Sequence, residues 1–92
     1  MKTEIDHLLV CLIEECAEIQ KHATKALRDP TILGSATERK LIMYKWNDLQ
    51  AVVAMLQQRR ALPVMVDHEQ QRKQRDKVLH FMDYARERGE LE

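Results

Sequence analysis

Three features of the sequence predict an all-α fold. Apolar residues recur at three- and four-residue steps along most of the chain, no stretch sustains the alternation of a half-buried strand, and the two glycines and two prolines fall at breaks between helical stretches. The expected architecture is a helical hairpin plus a third helix, with four-helix-bundle-type packing completed by oligomerisation. At 92 residues the chain fits one domain, residues 1–92. So short a chain buries only a thin core by itself, so a homodimer or a dimer of dimers is expected.

The spacing predicts a first helix from about Thr3 to about Arg28, with Ile5, Leu8, Leu9, Leu12, Cys16, Ile19, Ala23 and Leu27 on its apolar side. Asp29-Pro30 and Gly34 bracket a loop. A second helix is expected from about Ala36 to Arg60, since Ser35 followed by Glu38 reads as a capping box. Leu41, Leu49, Val52, Val53 and Leu56 supply its apolar side. Leu62 to Val66, containing Pro63, reads as a short apolar connector that packs on the bundle. A third helix should begin after Asp67, with Gln70 completing the cap pattern, and carry Val78, Leu79, Phe81, Met82 and Ala85 on one face, Gly89 lying near its end. There is no internal repeat and no low-complexity segment.

Lys plus Arg and Asp plus Glu balance at 15 each, which argues against a general nucleic-acid or membrane binder. No nucleic-acid partner and no membrane are expected. An RNA- or DNA-binding reading through Arg59, Arg60, Arg72, Lys73, Arg75 and Lys77 is opposed by that neutrality and by the lack of interleaved aromatics. Nothing resembles a signal peptide or a membrane span, so the expected location is the cytoplasm. Cys11 and Cys16 stand five apart, point in different directions on one helix, and are expected to be reduced and semi-buried.

The chemically informative segment is Glu14-Glu15-Cys16-Ala17-Glu18. Residues three apart on a helix sit roughly 60° apart around the axis, so Glu15 and Glu18 project from one face. Like charges at this spacing repel, and a hard cation such as Mg²⁺ or Mn²⁺ relieves the repulsion. The alternative is a solvated acidic face. Asp48, within Asn47-Asp48, is a second acidic position in a helix interior, where aspartate is a poor helix former. In an antiparallel hairpin it can face Glu15 and Glu18; the alternative is an exposed Asn-Asp pair.

A Glu-Glu-x-x-Glu helix followed by an acidic second helix resembles the MazG-like all-α nucleoside triphosphate pyrophosphohydrolases, of the short single-domain type found in bacteria and their phages. The resemblance extends over Thr24 to Arg28, Asn47-Asp48-Leu49 with Ala51-Val52-Val53, and Lys77 to Glu87. It implies cleavage of a nucleoside triphosphate to the monophosphate and pyrophosphate, as in cleaning of the nucleotide pool, with Mg²⁺ or Mn²⁺ as cofactor. By the same resemblance Glu15, Glu18 and Asp48 are the metal ligands, and Glu14 and Glu15 are the catalytic pair, Glu14 either supporting the ligands from behind or helping to orient the attacking water. The sequence departs from the pattern three residues before Asp48, where the family carries Glu and this chain carries Lys45. A protonated lysine does not ligate a metal; its ammonium either neutralises the acidic cluster or turns to solvent. A catalytically impaired protein that binds nucleotides or a partner is therefore the competing reading. Glu38, two turns before Lys45 and roughly 10 Å away along the axis, is a poor substitute ligand.

Lys25, Lys45, Asn47, Lys77, Tyr84 and Arg86 are the candidate substrate contacts, with Arg28 as a further cation suited to phosphate. Surface charge is the competing reading for the cations. Tyr84 and Trp46 either stack on a base or pack in the core. His7, His22, His68 and His80 show no metal spacing among themselves and are expected to be semi-exposed, although His22 falls four after Glu18.

Overall fold

A computed structural model describes residues 2–92, which form three helices in the order α1 (Glu4–Arg28), α2 (Ile32–Gln58) and α3 (His68–Glu87). No strand occurs among the described residues. The all-α class expected from the spacing is observed.

Thr3 starts α1 as a reciprocal cap. Its hydroxyl accepts from the Asp6 N–H at 3.0 Å, and its own N–H donates to Asp6 Oδ2 at 3.2 Å. Two of the end donors that a helix cannot satisfy internally are thereby paired. Hydrogen bonds from the Thr3 side chain, and then from its backbone, hold the Asp6 carboxyl below the usual carboxylate range.

The second helix starts earlier than expected. Its cap is Thr31, whose hydroxyl accepts from the Gly34 N–H at 3.1 Å. Ser35 lies inside the helix, its N–H bonded to the Thr31 carbonyl at 3.1 Å. The cause is the bend itself. Pro30 keeps Asp29 extended (ψ 116°). The Asp29 carboxylate then takes both the N–H and the hydroxyl of Thr31, at 2.8 and 2.6 Å, presenting the Thr31 oxygen to the helix end. The Thr31 side chain, and then its backbone N–H, draw the Asp29 carboxyl below the ordinary range. Gly34 is therefore not a loop marker: a Cβ there would strike the Asp29 carboxylate. Its role is close approach inside the first turn.

Both later helix ends close with the chain in the left-handed region. Arg60 (φ 58°) follows α2, with Arg60 N–H bonded to the Gln57 carbonyl and Ala61 N–H to the Leu56 carbonyl at 3.0 and 2.9 Å. Gly89 (φ 75°) follows α3 with the equivalent pair, to Arg86 and Ala85. This is the Schellman arrangement, and glycine usually fills that place. Asp67 caps α3 by accepting from the Gln70 N–H at 2.9 Å, as the spacing predicted.

The two long helices form an antiparallel hairpin. Glu4 and Arg59 pair at its open end, Arg59 Nε donating to Glu4 Oε1 at 2.6 Å. His22 and Glu38 pair near its bend. Leu8 and Leu56 are the buried apolar residues among those described. The third helix makes no close approach to either of the others and buries none of its residues. The connector is likewise open rather than packed down: Val64 is 81% exposed, with Met65 and Val66 also exposed. Among the described residues one side-chain tie holds it, Gln57 Nε2 donating to the Pro63 carbonyl at 3.3 Å. The reason is geometric. The chain leaves α2 through the left-handed turn at Arg60, and the hairpin offers a single copy no second layer on which these residues can close. No helix among the described residues is long and apolar enough to cross a membrane.

Candidate functional site

Two crosslinks set the hairpin register, Glu4 with Arg59 and His22 with Glu38. Between them the segment Lys45 to Asp48 runs level with residues 12–18 of α1. The two acidic stretches singled out in the sequence therefore lie side by side along the hairpin.

On α1, Glu15 is half-buried, and its Oε2 is withdrawn from solvent with no hydrogen-bond partner. A carboxylate oxygen in that condition carries a desolvation cost with nothing to offset it. Glu18, one turn on, is half-exposed, with Lys21 Nζ and His22 Nε2 each 3.8 Å from its Oε2. Glu14 is exposed. On α2, Lys45 Nζ lies 3.6 Å from Asp48 Oδ2, the Asp48 side chain remaining 56% exposed. Lys45 thus turns along its own helix toward Asp48. Asn47 donates one of its two amide hydrogens to the Met43 carbonyl at 3.0 Å, on its own helix.

Among the described residues no three His, Cys, Asp or Glu side chains gather closely enough to hold one metal ion. Glu15 and Glu18 share a face as expected; Asp48 is not drawn into a common cluster with them. Against a divalent cation, the orphaned Glu15 oxygen and the neighbouring Glu18 carboxylate fit as hard oxygen donors. The Lys45 and Asp48 pair does not add a third donor as it stands.

His22 departs from expectation. It is buried at 8% exposure, and its Nδ1 lies 2.7 Å from Glu38 Oε2. Glu38 belongs to this inter-helix contact rather than to a cap, because α2 begins at Ile32. Lys25 and Arg28 line an open cleft of about 490 Å³ at the bend with Asp29, Pro30 and Glu38. The third-helix candidates stand apart within one chain. Arg86 pairs with Asp83 at 3.2 Å, the Arg88 guanidinium lies 5.4 Å over the Tyr84 ring, and Lys77 is exposed. Trp46 is 47% exposed and lines a groove with Gln50, Val53 and Gln57 beside the connector. Both cysteines are free; Cys11 is half-buried and Cys16 exposed, not semi-buried.

No family model matches the sequence, and neither curated proteins nor solved structures give a match.

Proposed function

We propose that the protein is a metal-dependent nucleoside triphosphate pyrophosphohydrolase of the MazG-like type. The observation that carries the reading is the Glu15 Oε2 buried without a partner, one turn from the Glu18 carboxylate. An acidic face on α1 with one oxygen sealed from water is more than a solvated charge run, since the buried acceptor needs a donor or a cation. Glu15 and Glu18 would hold Mg²⁺ or Mn²⁺, with Asp48 released from Lys45 as the third ligand. The bound ion supplies charge neutralisation and a more acidic water. Glu14, on the same segment, orients the attacking water. Water adds to phosphorus, the α–β phosphoanhydride bond breaks, and pyrophosphate leaves with the bridging oxygen. Lys25 and Lys45 offer cations to the phosphates, and Asn47 a hydrogen-bonding amide. Lys77, Tyr84 and Arg86 would reach the substrate from an α3 packed in the assembled protein.

The exposed area supports assembly as a homodimer or a dimer of dimers. The chain exposes 7815 Å² at 10.9 kDa, whereas a compact monomer of that mass exposes about 5,600 Å². The excess, about 2,200 Å² per chain, is the scale that permanent subunit interfaces bury.

The Lys45–Asp48 ion pair favours a second reading, a protein of this fold that binds nucleotide or a partner without turnover. Pyrophosphate release from a panel of canonical and modified nucleotides, with Mg²⁺ and with Mn²⁺, separates the two. Release that vanishes in Glu15→Gln supports the enzyme. Nucleotide binding with no release under any condition leaves the second reading standing.

A further inference from the structure

We infer that the side of the hairpin carrying Ile5, Leu9 and Ile13 of α1 with Met43, Trp46 and Val53 of α2 is the surface on which a second copy of this chain docks, like side against like side. The acidic side of each hairpin is then turned outward. The inference deepens the assembly reading above and is independent of the metal. The Glu4–Arg59 ion pair tells the two sides apart. Steps of three and four residues follow one side of a helix along its length. From Glu4 they lead to His7, Cys11, Glu14 and Glu18; from Arg59 they lead back to Met55, Asp48 and Tyr44. Because Glu4 and Arg59 touch, these two lines share one side of the hairpin. The line of Ile5, Leu9, Ile13 and Cys16 runs along α1 beyond the buried Leu8, and that of Met43, Trp46 and Val53 runs along α2 beyond the buried Leu56. Together they form the other side.

That side is open and apolar. Ile13 is 67% exposed and Met43 58%. Its two lines carry no charge from Ile5 to Gln20 or from Met43 to Gln57, whereas the first side presents Glu14, Glu18 and Asp48. The connector continues it, since Val64, Met65 and Val66 line a groove with Trp46 and Val53. Contiguous apolar surface of this kind marks an interaction site. A two-fold interface sets each patch against its own copy. An uncharged apolar patch is compatible with itself, while the acidic side would set like charge against like. The area agrees: an excess of about 2,200 Å² per chain exceeds the roughly 800 Å² per partner of a standard interface.

The two cysteines are built-in probes, because Cys16 lies on the apolar line and Cys11 on the line of Glu4. Cys16 is exposed in the single chain. In the assembled, unsubstituted protein its alkylation by iodoacetamide, resolved from that of Cys11 by peptide mass, should be slow. It should rise to the rate of an open thiol on dilution to the single-chain mass of 10.9 kDa. Sedimentation of variants is the second measurement. A glutamate at residue 13 or 46 meets no like charge three or four residues away, so Ile13→Glu and Trp46→Glu leave the chain's own helices in place. Each should lower the assembled mass toward that of one chain, and Tyr44→Glu, on the other side, should leave it unchanged. Free labelling of Cys16 in the assembled protein overturns the inference, and does so even where a variant fails to fold. Unchanged mass in both Ile13→Glu and Trp46→Glu overturns it as well, as does an equal loss in Tyr44→Glu. An unsubstituted chain that sediments as a monomer overturns the assembly reading itself, and this inference with it.

Discussion

Under the proposed metal reading, replacing Lys45 by glutamate adds a carboxylate one turn before Asp48, and the structure sets the size of the effect. The ammonium lies 3.6 Å from Asp48 Oδ2, with side-chain exposures of 33% and 56%. At that separation the attraction is about 5 kcal/mol at an effective dielectric of 20 and about 1 kcal/mol at that of water. A pair this open to solvent belongs near the lower figure, and measured pairs of the kind fall at about 0–1 kcal/mol. Freeing Asp48 alone therefore strengthens cation binding by at most about fivefold. The added carboxylate contributes beyond that, by supplying a ligand and reversing a charge. Lys45→Glu is expected to raise Mn²⁺ affinity more than about tenfold, beyond the release of Asp48 alone, and to raise the pyrophosphohydrolase rate with it. Without metal it should lower the melting temperature, since it sets a like charge three residues before Asp48 on α2; saturating Mn²⁺ should reverse that loss. Calorimetry, pyrophosphate release and thermal melts on the two forms are the assays. Unchanged metal affinity in Lys45→Glu would refute the reasoning, because the register that sets residues 45–48 beside Glu15 and Glu18 would then have no electrostatic consequence. Equal or better activity in the lysine form would mean that what Lys45 contributes at the phosphates outweighs the ligand that glutamate adds.

Light scattering at micromolar concentration is expected to give at least twice the 10.9 kDa chain mass, and a stable monomer would contradict the area argument. Arg60→Gly should stabilise the fold by up to about 1 kcal/mol in urea unfolding, because an L side chain in the left-handed region costs roughly that much. Thr31→Ala should destabilise by about 1 kcal/mol through loss of the α2 cap, whereas Ser35→Ala should be nearly neutral. Asp6 and Asp29 have carboxyls lowered by hydrogen bonds in the folded chain. Their contribution is complete above the unfolded carboxylate value of about 3.9 and is lost as pH falls below it through the lowered folded values. Melts between neutral and strongly acidic pH should show that loss reduced in Thr3→Ala and Thr31→Ala.

The helices themselves were legible because their signals are local. Period, the cap at Asp67, and the glycine after α3 each depend on residues within one turn. The start of α2 was misread for an equally local reason: two cap patterns overlap, and Ser35 with Glu38 fits the stronger consensus. What selects Thr31 is the Asp29 carboxylate, which Pro30 holds in an extended backbone, and neither effect belongs to the capping pattern. The packing of α3 and the connector was not legible from one chain. Their apolar faces call for a surface that the hairpin does not extend to them.

The same four-residue error in α2 concealed His22. With the bend assigned to residues 29–31, His22 and Glu38 stand equally far from its centre at Pro30, and an antiparallel hairpin must bring them together. With the bend drawn to Ser35, Glu38 becomes a cap and His22 a surface residue four after Glu18. The acidic motif, read from residue type and spacing, named Glu15 and Glu18 without needing the bend at all. The partners of those acids are different in kind, since they are fixed by where the chain reverses. A single proline and the carboxylate before it thereby decide whether Glu38 caps a helix or braces the histidine that faces Glu18. Substituting Pro30 should therefore disturb the Glu18 environment from twelve residues away in sequence, through the register rather than through any direct contact.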